Sequence, residues 1–493
     1  MARTQSEGPR LVQFTIFSPA LGPTEETVDR QICFSYPTLD ASDSVLREVG
    51  LAQAIINFTA NFGSSRPGEI IKTRRHVSVV TEPEDGWWML MKIARGFTTE
   101  TRKDGTTSTK YASNLPDEAL KSLVGRAYRS FQILHRGFRH FIESRSLSAF
   151  KETLEDFYTR YLDRINVSGL DLLTTFNGIS LIDPQRESSL AILAFIRSLQ
   201  TTFPELRQPL LLWDHHVVYS GFKDLGSLHQ IYDYLTDPET GKINDNIINQ
   251  VKQKGEAAIG TRPASLKSPA ISETSSGSDG RISFSAKWRT STRFCGFLVG
   301  PIFSGDALEN DSIPKRVYLG DNGIEHYLIV YQVGSATIAF ALPKASIGNP
   351  QTVFTRSFWV NLKIFLDDRL AEVAEQAARR EAESEAIEQT YQHFYYDSTT
   401  RRYKTTFVGT RGASGAPEII DCLDEINDEL TRPELGLKEI YLKTKNDAWL
   451  VGQKSGGRTL LAVVPKTDMN LNQLEQESKR LSDALARRTY RLV

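Results

Sequence analysis

Acidic side chains between two predicted strands are the first candidates for chemistry. Glu82, Glu84 and Asp85 lie within four positions of one another, and paired carboxylates can run general acid–base catalysis. They flank Pro83 and Gly86, however, and this composition is typical of a solvated turn. We therefore interpret the cluster as a turn and not as a catalytic pair.

Two other patterns carry residue types that could hold a metal or a phosphate. His215 and His216 are adjacent, and neighbouring residues of a strand point to opposite faces, so both cannot easily bind one ion. The glycine-rich run 409–415 lacks the Lys-Ser or Lys-Thr end of a phosphate-binding loop. Metalloprotease, nucleophile-elbow and dinucleotide motifs are missing as well. The sequence predicts a protein that acts by binding, with no cofactor and no covalent chemistry.

Length and composition restrict the class of protein. The chain has 493 residues, which predicts two to four domains. Its 59 lysines and arginines balance 60 aspartates and glutamates, which argues against wholesale binding to nucleic acid. Cys33, Cys295 and Cys422 form no CxxC pair, so we expect a reducing compartment and no zinc site. No apolar run reaches membrane-spanning length and residues 1–10 are polar, so we expect a cytoplasmic protein.

Hydrophobic periodicity predicts an α+β fold in three units of similar order. The first unit, residues 1–168, reads as strands, a helix over 42–62, further strands and two closing helices. The second unit, residues 169–383, follows this order around a flexible insertion at 252–292 that is rich in Ser, Gly, Lys and Arg. The third unit, residues 384–493, is shorter. Each unit is expected to be an antiparallel sheet flanked by helices.

Two segments carry separate predictions. Residues 176–182 are predicted to form the strand that opens the second unit. The stretch from Phe97 to Asn114 is charged and polar where a cleaner strand would be expected, and we interpret it as a long hairpin loop.

The predicted helix 42–62 has two apolar stripes, roughly 120° apart by helical geometry. One stripe is enough to pack the helix on its own sheet, and it consists of Val45, Val49, Ala52 and Ile56. The second stripe needs another cover, either later helices of the same unit or a partner subunit, and it consists of Leu51, Ile55, Phe58 and Phe62.

Two adjacent tryptophans pose the same choice. Trp87 and Trp88 lie on one predicted strand, so one ring faces each side of the sheet. One ring can fill the core, and the other must be covered by a helix or by a partner, for which aromatic rings are favoured anchors. For either ring alone, the core is the plainer interpretation.

Four motifs of the first unit, in this order, closely resemble the CCZ family. They are FTIFSP followed by GP, ICFSYP, GLAQAIINFTANF and TEPEDGWWMLM, which fall within residues 11–23, 32–37, 50–62 and 81–91. The resemblance is specific over about the first 95 residues. In the second unit LLLWDHHVVYSGF is similar to a strand–turn–strand segment of the family, and the third unit carries no specific motif.

The resemblance implies three longin domains in series and a role in Rab activation. Family members pair with a MON-type tri-longin subunit, and the joined first domains promote GDP release from a late-endosomal or vacuolar Rab GTPase. It places the partner and Rab interface on the first domain, at Leu51, Ile55, Phe58, Phe62, Glu82, Trp87 and Trp88. A longin-type adaptor or scaffold that only carries a partner is the alternative.

The insertion supplies a candidate membrane-binding segment. Its aromatic and basic residues alternate, and the site is predicted at Arg281, Phe284, Lys287, Trp288, Arg289 and Arg293. Aromatic rings favour the bilayer interface, and each cation adds about 1 kcal/mol near an anionic leaflet. The alternative is that Trp288 begins the next strand. The resemblance favours the membrane, because family complexes are peripheral, phosphoinositide-dependent proteins of late endosomes and vacuoles.

Replacing Trp288 and Phe284 together by serine is predicted to reduce binding to anionic liposomes, because both rings would leave the bilayer interface. Sedimentation with liposomes measures this binding, and nucleotide exchange on soluble Rab is the control that should stay intact. Unchanged sedimentation would exclude the insertion and point to the partner subunit.

Overall fold

The computed structural model describes most of the chain, in ranges separated by gaps. The described residues are 3–37, 43–60, 70–101, 107–111, 115–170, 172–182, 186–236, 295–301, 303–304, 307–308, 313–384, 391–407, 417–432, 435–445, 447–465 and 469–489. Across these ranges, antiparallel sheets are flanked by helices, which confirms the predicted α+β class. The predicted insertion 252–292 lies outside the described residues.

The first domain is a five-stranded antiparallel sheet with helices on both faces. Its strands and helices are β1 Arg3–Glu7, β2 Arg10–Phe17, β3 Ile32–Tyr36, α1 Asp43–Ala60, β4 Ile70–Lys72, β5 His76–Glu84, β6 Trp87–Ala94, β7 Phe97–Thr101, β8 Thr107–Tyr111, α2 Asp117–His135, α3 Phe138–Ser144 and α4 Leu147–Leu162. The strand order is β3-β2-β6-β5-β4. Neighbouring residues of a strand face opposite sides, and in this sheet both sides are apolar. Helix α1 covers one of these faces, and α2 to α4 cover the other.

The polar segment after β6 forms a separate small sheet. Strands β7 and β8 make a hairpin, and β1 pairs with β7 in the order β1-β7-β8. The interpretation as a hairpin was therefore right, but its arms are regular strands and not loop. Phe97 and Tyr111 pack across the two arms at 6.2 Å between ring centroids, an aromatic pair inside an otherwise threonine-rich segment.

The second domain repeats the five-stranded arrangement. Its elements are α5 Leu172–Phe176, β9 Ile179–Ser180, α6 Arg186–Thr202, β10 Pro209–Trp213, β11 His216–Ser220, α7 Leu225–Thr236, β12 Cys295–Val299, β13 Phe303–Ser304, β14 Ala307–Leu308, β15 Lys315–Leu319, β16 Ile324–Val333, β17 Ala336–Pro343, α8 Pro350–Val353 and α9 Arg356–Ser384. The sheet runs β11-β10-β17-β16-β12, and β15 also pairs with β16. Helices α6 and α9 pack on one face, and α7 packs on the other.

The third domain is the smallest. Its elements are β18 Gln392–Asp397, β19 Arg402–Thr405, α10 Pro417–Thr431, β20 Glu439–Lys443, β21 Trp449–Ser455, β22 Arg458–Val464 and α11 Leu471–Thr489. The sheet order is β20-β21-β22-β18-β19, extended by β9 beside β19. Helix α10 covers one face and α11 covers the other.

The three sheets share one topology. Only the five strands of each main sheet are counted here, in chain order: β2 to β6 in the first domain, β10, β11, β12, β16 and β17 in the second, and β18 to β22 in the third. In every sheet the first of these strands lies between the second and the fifth, and the fourth lies between the fifth and the third. The helix between the second and third strands always covers one face, so α1, α7 and α10 are equivalent. The similar order seen in the sequence therefore reflects a common fold.

The segment that opens the second predicted unit bridges the third sheet and the second, since Leu181 forms a parallel bridge with Val217 of β11. Residues 176–182 were predicted to form a strand, but only β9 is a strand, and it pairs in parallel with β19. Phe176 ends helix α5, and its ring stacks on Phe394 and packs against the tilted ring of Tyr396 on β18, each at 4.8 Å between centroids. The ring is thus held by a core formed more than 200 residues later, which local periodicity cannot reveal.

Helix α2 lies at the junction of the three domains. None of its residues is fully exposed. The side that faces the first sheet is apolar, and Ile133 on another side enters the core of the second domain. Near its first turns, the Ser122 hydroxyl donates to the carbonyl of Thr175, and Arg126 donates to the amide oxygen of Asn177.

Polar pairs join α2 to α7. The Arg129 guanidinium bonds to the buried Asp233 carboxylate at 3.0 Å, and Gln230 donates to Gln132 at 3.0 Å. Burial opposes the charge of Asp233, but the neighbouring guanidinium groups, above all that of Arg129 and then that of Arg126, outweigh it, so the pKa of this carboxyl lies below its usual range. The Asp233 carboxylate therefore stays charged inside the junction, where its burial would be costly without Arg129 beside it.

His229 connects α7 to the segment that follows α5 and to the third domain. Its Nε2 lies 2.7 Å from the carbonyl of Asn177 and must donate, so Nδ1 is the acceptor for Arg401 at 3.3 Å. The ring is buried, and this burial lowers its pKa, although Asp233 opposes the effect. The geometry and the burial therefore agree on a neutral imidazole.

Acidification is predicted to destabilise the folded chain partly through His229. An unfolded imidazole has a pKa of about 6.5 and takes up a proton that the buried ring resists. The contribution is therefore fully present above that pH and is lost as pH falls towards the lower folded pKa. The midpoint of thermal unfolding, measured between pH 8 and pH 5.5, should fall less steeply in His229→Gln, which keeps a donor but does not titrate.

The matched control is His140→Gln, because that ring also contacts an arginine, Arg136, but is only half-buried. An unchanged pH slope in His229→Gln would show that this ring does not link pH to stability.

Candidate functional site

The inner stripe of α1 packs the helix on its own sheet, as predicted. Val45, Val49, Ala52 and Ile56 are all buried. They form a cluster with Phe17, Ile32, Val80, Trp88 and Leu90 of the first sheet. Only every third or fourth residue of α1 is buried, which is the pattern of a helix covered along one line.

The outer stripe of α1 is apolar and accessible. Leu51 is 52% exposed and Phe58 is 64% exposed, and Ile55 between them is half-buried. These positions are spaced i, i+4 and i+7, so they lie on one side of the helix. Phe62, the fourth member of the predicted stripe, lies outside the described residues.

The equivalent helices of the other domains are covered much more completely. In α7, seven consecutive residues from Leu228 to Tyr234 are buried, so all sides of the helix are in contact. Helix α10 buries the neighbouring pairs Leu423–Asp424 and Ile426–Asn427. Neighbours inside the chain thus occupy the surface that α1 leaves accessible.

The two tryptophans face opposite sides of the sheet, as predicted, and both are buried. Trp87 packs against Phe138 of α3 at 5.7 Å and Phe150 of α4 at 5.5 Å. Trp88 belongs to the cluster under α1. A helix of the same domain therefore covers each ring, which matches the interpretation as core residues. Neither ring lies on the surface.

The acidic turn is a structural anchor. Glu82 is exposed and accepts a bond from the Gly86 amide at 2.9 Å, which closes the turn. Glu84 accepts from the Tyr128 hydroxyl at 2.7 Å and from the Arg139 amide at 2.9 Å. Asp85 pairs with the Arg139 side chain at 3.1 Å. The turn between β5 and β6 is therefore fixed to the corner between α2 and α3.

Sequence reasoning missed this role of Glu84. Its carboxylate also accepts from the Phe138 amide, so it caps the first turn of α3. Gly137 precedes that turn with φ of +115°, and a Cβ there would come within 2.7 Å of the Glu84 carboxylate. Burial and the nearby Glu84 both raise the pKa of the Tyr128 hydroxyl, which stays a proton donor. No local sequence signal links residues 84 and 137, which lie 53 positions apart.

The adjacent histidines lie closer together than expected. His215 is in the turn before β11, so the strand rule of opposite faces does not apply, and the two ring centroids are 3.8 Å apart. Nδ1 of His216 lies 2.6 Å from the Ser180 hydroxyl. Burial, with a smaller effect of His215, lowers the pKa of His216 to about 3. Within the described ranges, no group of three or more histidine, cysteine, aspartate or glutamate residues is arranged to hold a metal ion.

The predicted membrane-binding residues lie outside the described residues, namely Arg281, Phe284, Lys287, Trp288, Arg289 and Arg293. Among the helices that are described, none is long and apolar enough to cross a bilayer.

Comparison with known proteins agrees with the fold. Residues 11–136 match the family model described as the first longin domain of INTU, CCZ1 and HPS4. The chain is also similar to the vacuolar fusion protein CCZ1 homolog of Xenopus tropicalis, with 26% identity over 486 residues, 96% of this chain and 95% of that protein. The homolog of Nematostella vectensis is 26% identical over 484 residues, covering 96% of each chain. That of Dictyostelium discoideum is 23% identical over 472 residues, covering 94% of each.

The two stripes of α1 are predicted to respond differently to truncation. Val49→Ala should destabilise the first domain by about 2 kcal/mol, because it removes two buried methyl groups and leaves a cavity. Leu51→Ala should change stability by less than about 0.5 kcal/mol, because the side chain is largely in water. Thermal unfolding followed by tryptophan fluorescence measures both, since Trp88 lies in the same cluster as Val49. Equal losses in the two variants would contradict this division.

Proposed function

Because the chain belongs to the CCZ family of longin-domain proteins, we propose that it is one subunit of a heterodimeric guanine-nucleotide exchange factor. Its substrate is a late-endosomal or vacuolar Rab GTPase, and its partner is a MON-type tri-longin subunit. The relatives are similar to this chain over nearly its whole length, and they are named vacuolar fusion proteins. This name supports a role in trafficking to the vacuolar membrane.

The observation that carries the proposal is the accessible stripe of α1. The same helix position is covered by neighbouring parts of the chain in the second and third domains, and in the first domain Leu51 and Phe58 remain exposed. An exposed apolar stripe on a rigid helix favours a protein interface. We therefore assign this surface to the partner subunit.

The GTPase contact is proposed on the same domain, at the turn between β5 and β6. Glu82 and Asp85 are exposed at its tip, while Glu84 holds the turn through bonds to α2 and α3. A fixed acidic tip suits the task, because exchange needs no covalent step. The factor only has to bind the nucleotide-free GTPase better than the nucleotide-bound form.

A peripheral position on late-endosomal or vacuolar membranes follows from the proposed GTPase, which acts there. The predicted contact is the segment 281–293, with anionic or phosphoinositide lipids as the ligand. The described residues offer a second cationic surface, because Arg74 and Arg75 are exposed at the turn between β4 and β5, next to Lys72, which pairs with Asp117. Such side chains are attracted to an anionic leaflet.

The proposal is tested by GDP release from the purified Rab, with and without the MON-type partner. Leu51→Asp and Phe58→Asp should each weaken assembly at least a hundredfold, because a charge in a dry interface costs several kcal/mol. GDP release should fall in parallel at concentrations near the wild-type dissociation constant. Leu190→Asp is the matched control, since Leu190 is equally exposed but lies on α6 of the second domain.

The outcomes separate this function from its alternative. A complex that assembles through α1 but leaves GDP release unchanged would favour a longin-type adaptor or scaffold. Full assembly of both aspartate variants would instead remove the stripe as the interface. Circular dichroism of the variants confirms that each chain is still folded.

A further inference from the structure

Strand β20 (Glu439–Lys443) forms one edge of the third sheet. It pairs in antiparallel fashion with β21, and within the described ranges no strand pairs with its other side. An open edge presents backbone donors and acceptors to any extended chain that approaches.

The hydrogen bonds show which residues of β20 present these groups. The Lys454 amide donates to the Lys438 carbonyl at 2.7 Å, and the Thr444 amide donates to the Ala448 carbonyl at 2.8 Å. In an antiparallel pair, bonded and non-bonded positions alternate. Positions 440 and 442 therefore also face β21, and the amide and carbonyl groups of Glu439, Tyr441 and Lys443 point away from the sheet.

This edge strand is longer than its equivalent in the first domain. There the third strand, β4, has three residues, and Lys72 at its end pairs with Asp117 at 2.7 Å. Short edge strands discourage pairing with other chains. Strand β20 is longer, and three exposed leucines lie beside or within it: Leu435 at 46%, Leu437 at 41% and Leu442 at 40% exposure.

The charges along the edge specify the kind of chain that it can accept. Lys438, Lys443 and Lys445 are exposed on it, beside two carboxylates, that of Glu439 and that of Asp447, which pairs with Lys443 at 3.3 Å. Lysines at an edge disfavour pairing with a second copy of the same strand or with any other basic segment, and they attract an acidic segment. The leucines add apolar area that an acidic but partly apolar segment can cover.

We propose that β20 binds an extended acidic segment of a partner protein, which adds to the third sheet as a further antiparallel or parallel strand. Backbone bonds to positions 439, 441 and 443 give the affinity, and the lysines and leucines give the preference for acidic and apolar side chains. The surface belongs to the third domain and is independent of the proposed interface on α1.

Fluorescence anisotropy with the full-length chain tests this binding. The probe is a labelled nine-residue peptide of alternating glutamate and valine, with blocked ends. It should bind, and raising the salt from 50 mM to 500 mM should weaken binding severalfold, because the lysines are exposed. The same peptide with alternate amides N-methylated cannot donate to the edge, and the lysine–valine peptide has the wrong charge. Neither should bind.

Two substitutions at one position separate backbone pairing from side-chain effects. Glu439→Pro removes an amide that points away from β21, so the sheet is kept but peptide affinity should fall at least tenfold. Glu439→Ala keeps the amide and removes a repelling carboxylate, so affinity should stay equal or rise. Leu437→Ser should weaken binding about threefold, and Leu190→Ser on the second domain should leave it unchanged.

Three outcomes would overturn the proposal. They are no binding of the glutamate–valine peptide by the wild-type chain, equal binding of the N-methylated peptide, and equal affinity of the Glu439→Pro and Glu439→Ala variants. Self-association of the chain that Glu439→Pro abolishes, measured by sedimentation velocity, would assign the edge to a second copy instead.

Discussion

The packing of helix α2 between the first sheet, the second domain and the segment leading to the third domain is the constraint on which the rest of the structure depends. Its apolar side completes the core of the first domain, and its other sides serve the second domain and the segment leading to the third. Arg126, Arg129 and Gln132 would be costly to bury alone, but each bonds to a specific group across the junction. These directional bonds fix how the neighbouring elements meet the first domain, which apolar contact alone would specify less sharply.

This arrangement explains why equivalent helices have different surroundings. Helix α7 lies against α2 and supplies Gln230 and Asp233 to the junction, so its outer side is used inside the chain. The core under α10 includes Leu172 from the segment that follows the first domain. Helix α1 lies on the opposite face of the first sheet from α2. It is therefore the helix whose outer stripe remains available to another protein.

The sequence predicted what depends on local periodicity. The two stripes of α1, the opposite directions of Trp87 and Trp88 and most strands and helices of the three domains follow from spacing alone. The errors arise where distant residues decide. Phe176 packs against the core of the third domain, and the position of the Glu84 carboxylate depends on Gly137, which lies 53 residues later. The sequence left open whether helices of the same chain cover Leu51 and Phe58, because the covering of such a stripe depends on how the domains meet.

The turn between β5 and β6 and the domain junction belong to one hydrogen-bonded frame. Glu84 bonds to Tyr128, and the next residue of α2, Arg129, bonds to Asp233 of the second domain. Gly137 and α3 complete the corner that holds the turn. A partner that binds the exposed tip at Glu82 and Asp85 therefore meets a turn that cannot move without disturbing α2. Since the same helix also positions the second domain, the orientation of the three-domain chain and the geometry of its acidic tip are set by the same few bonds.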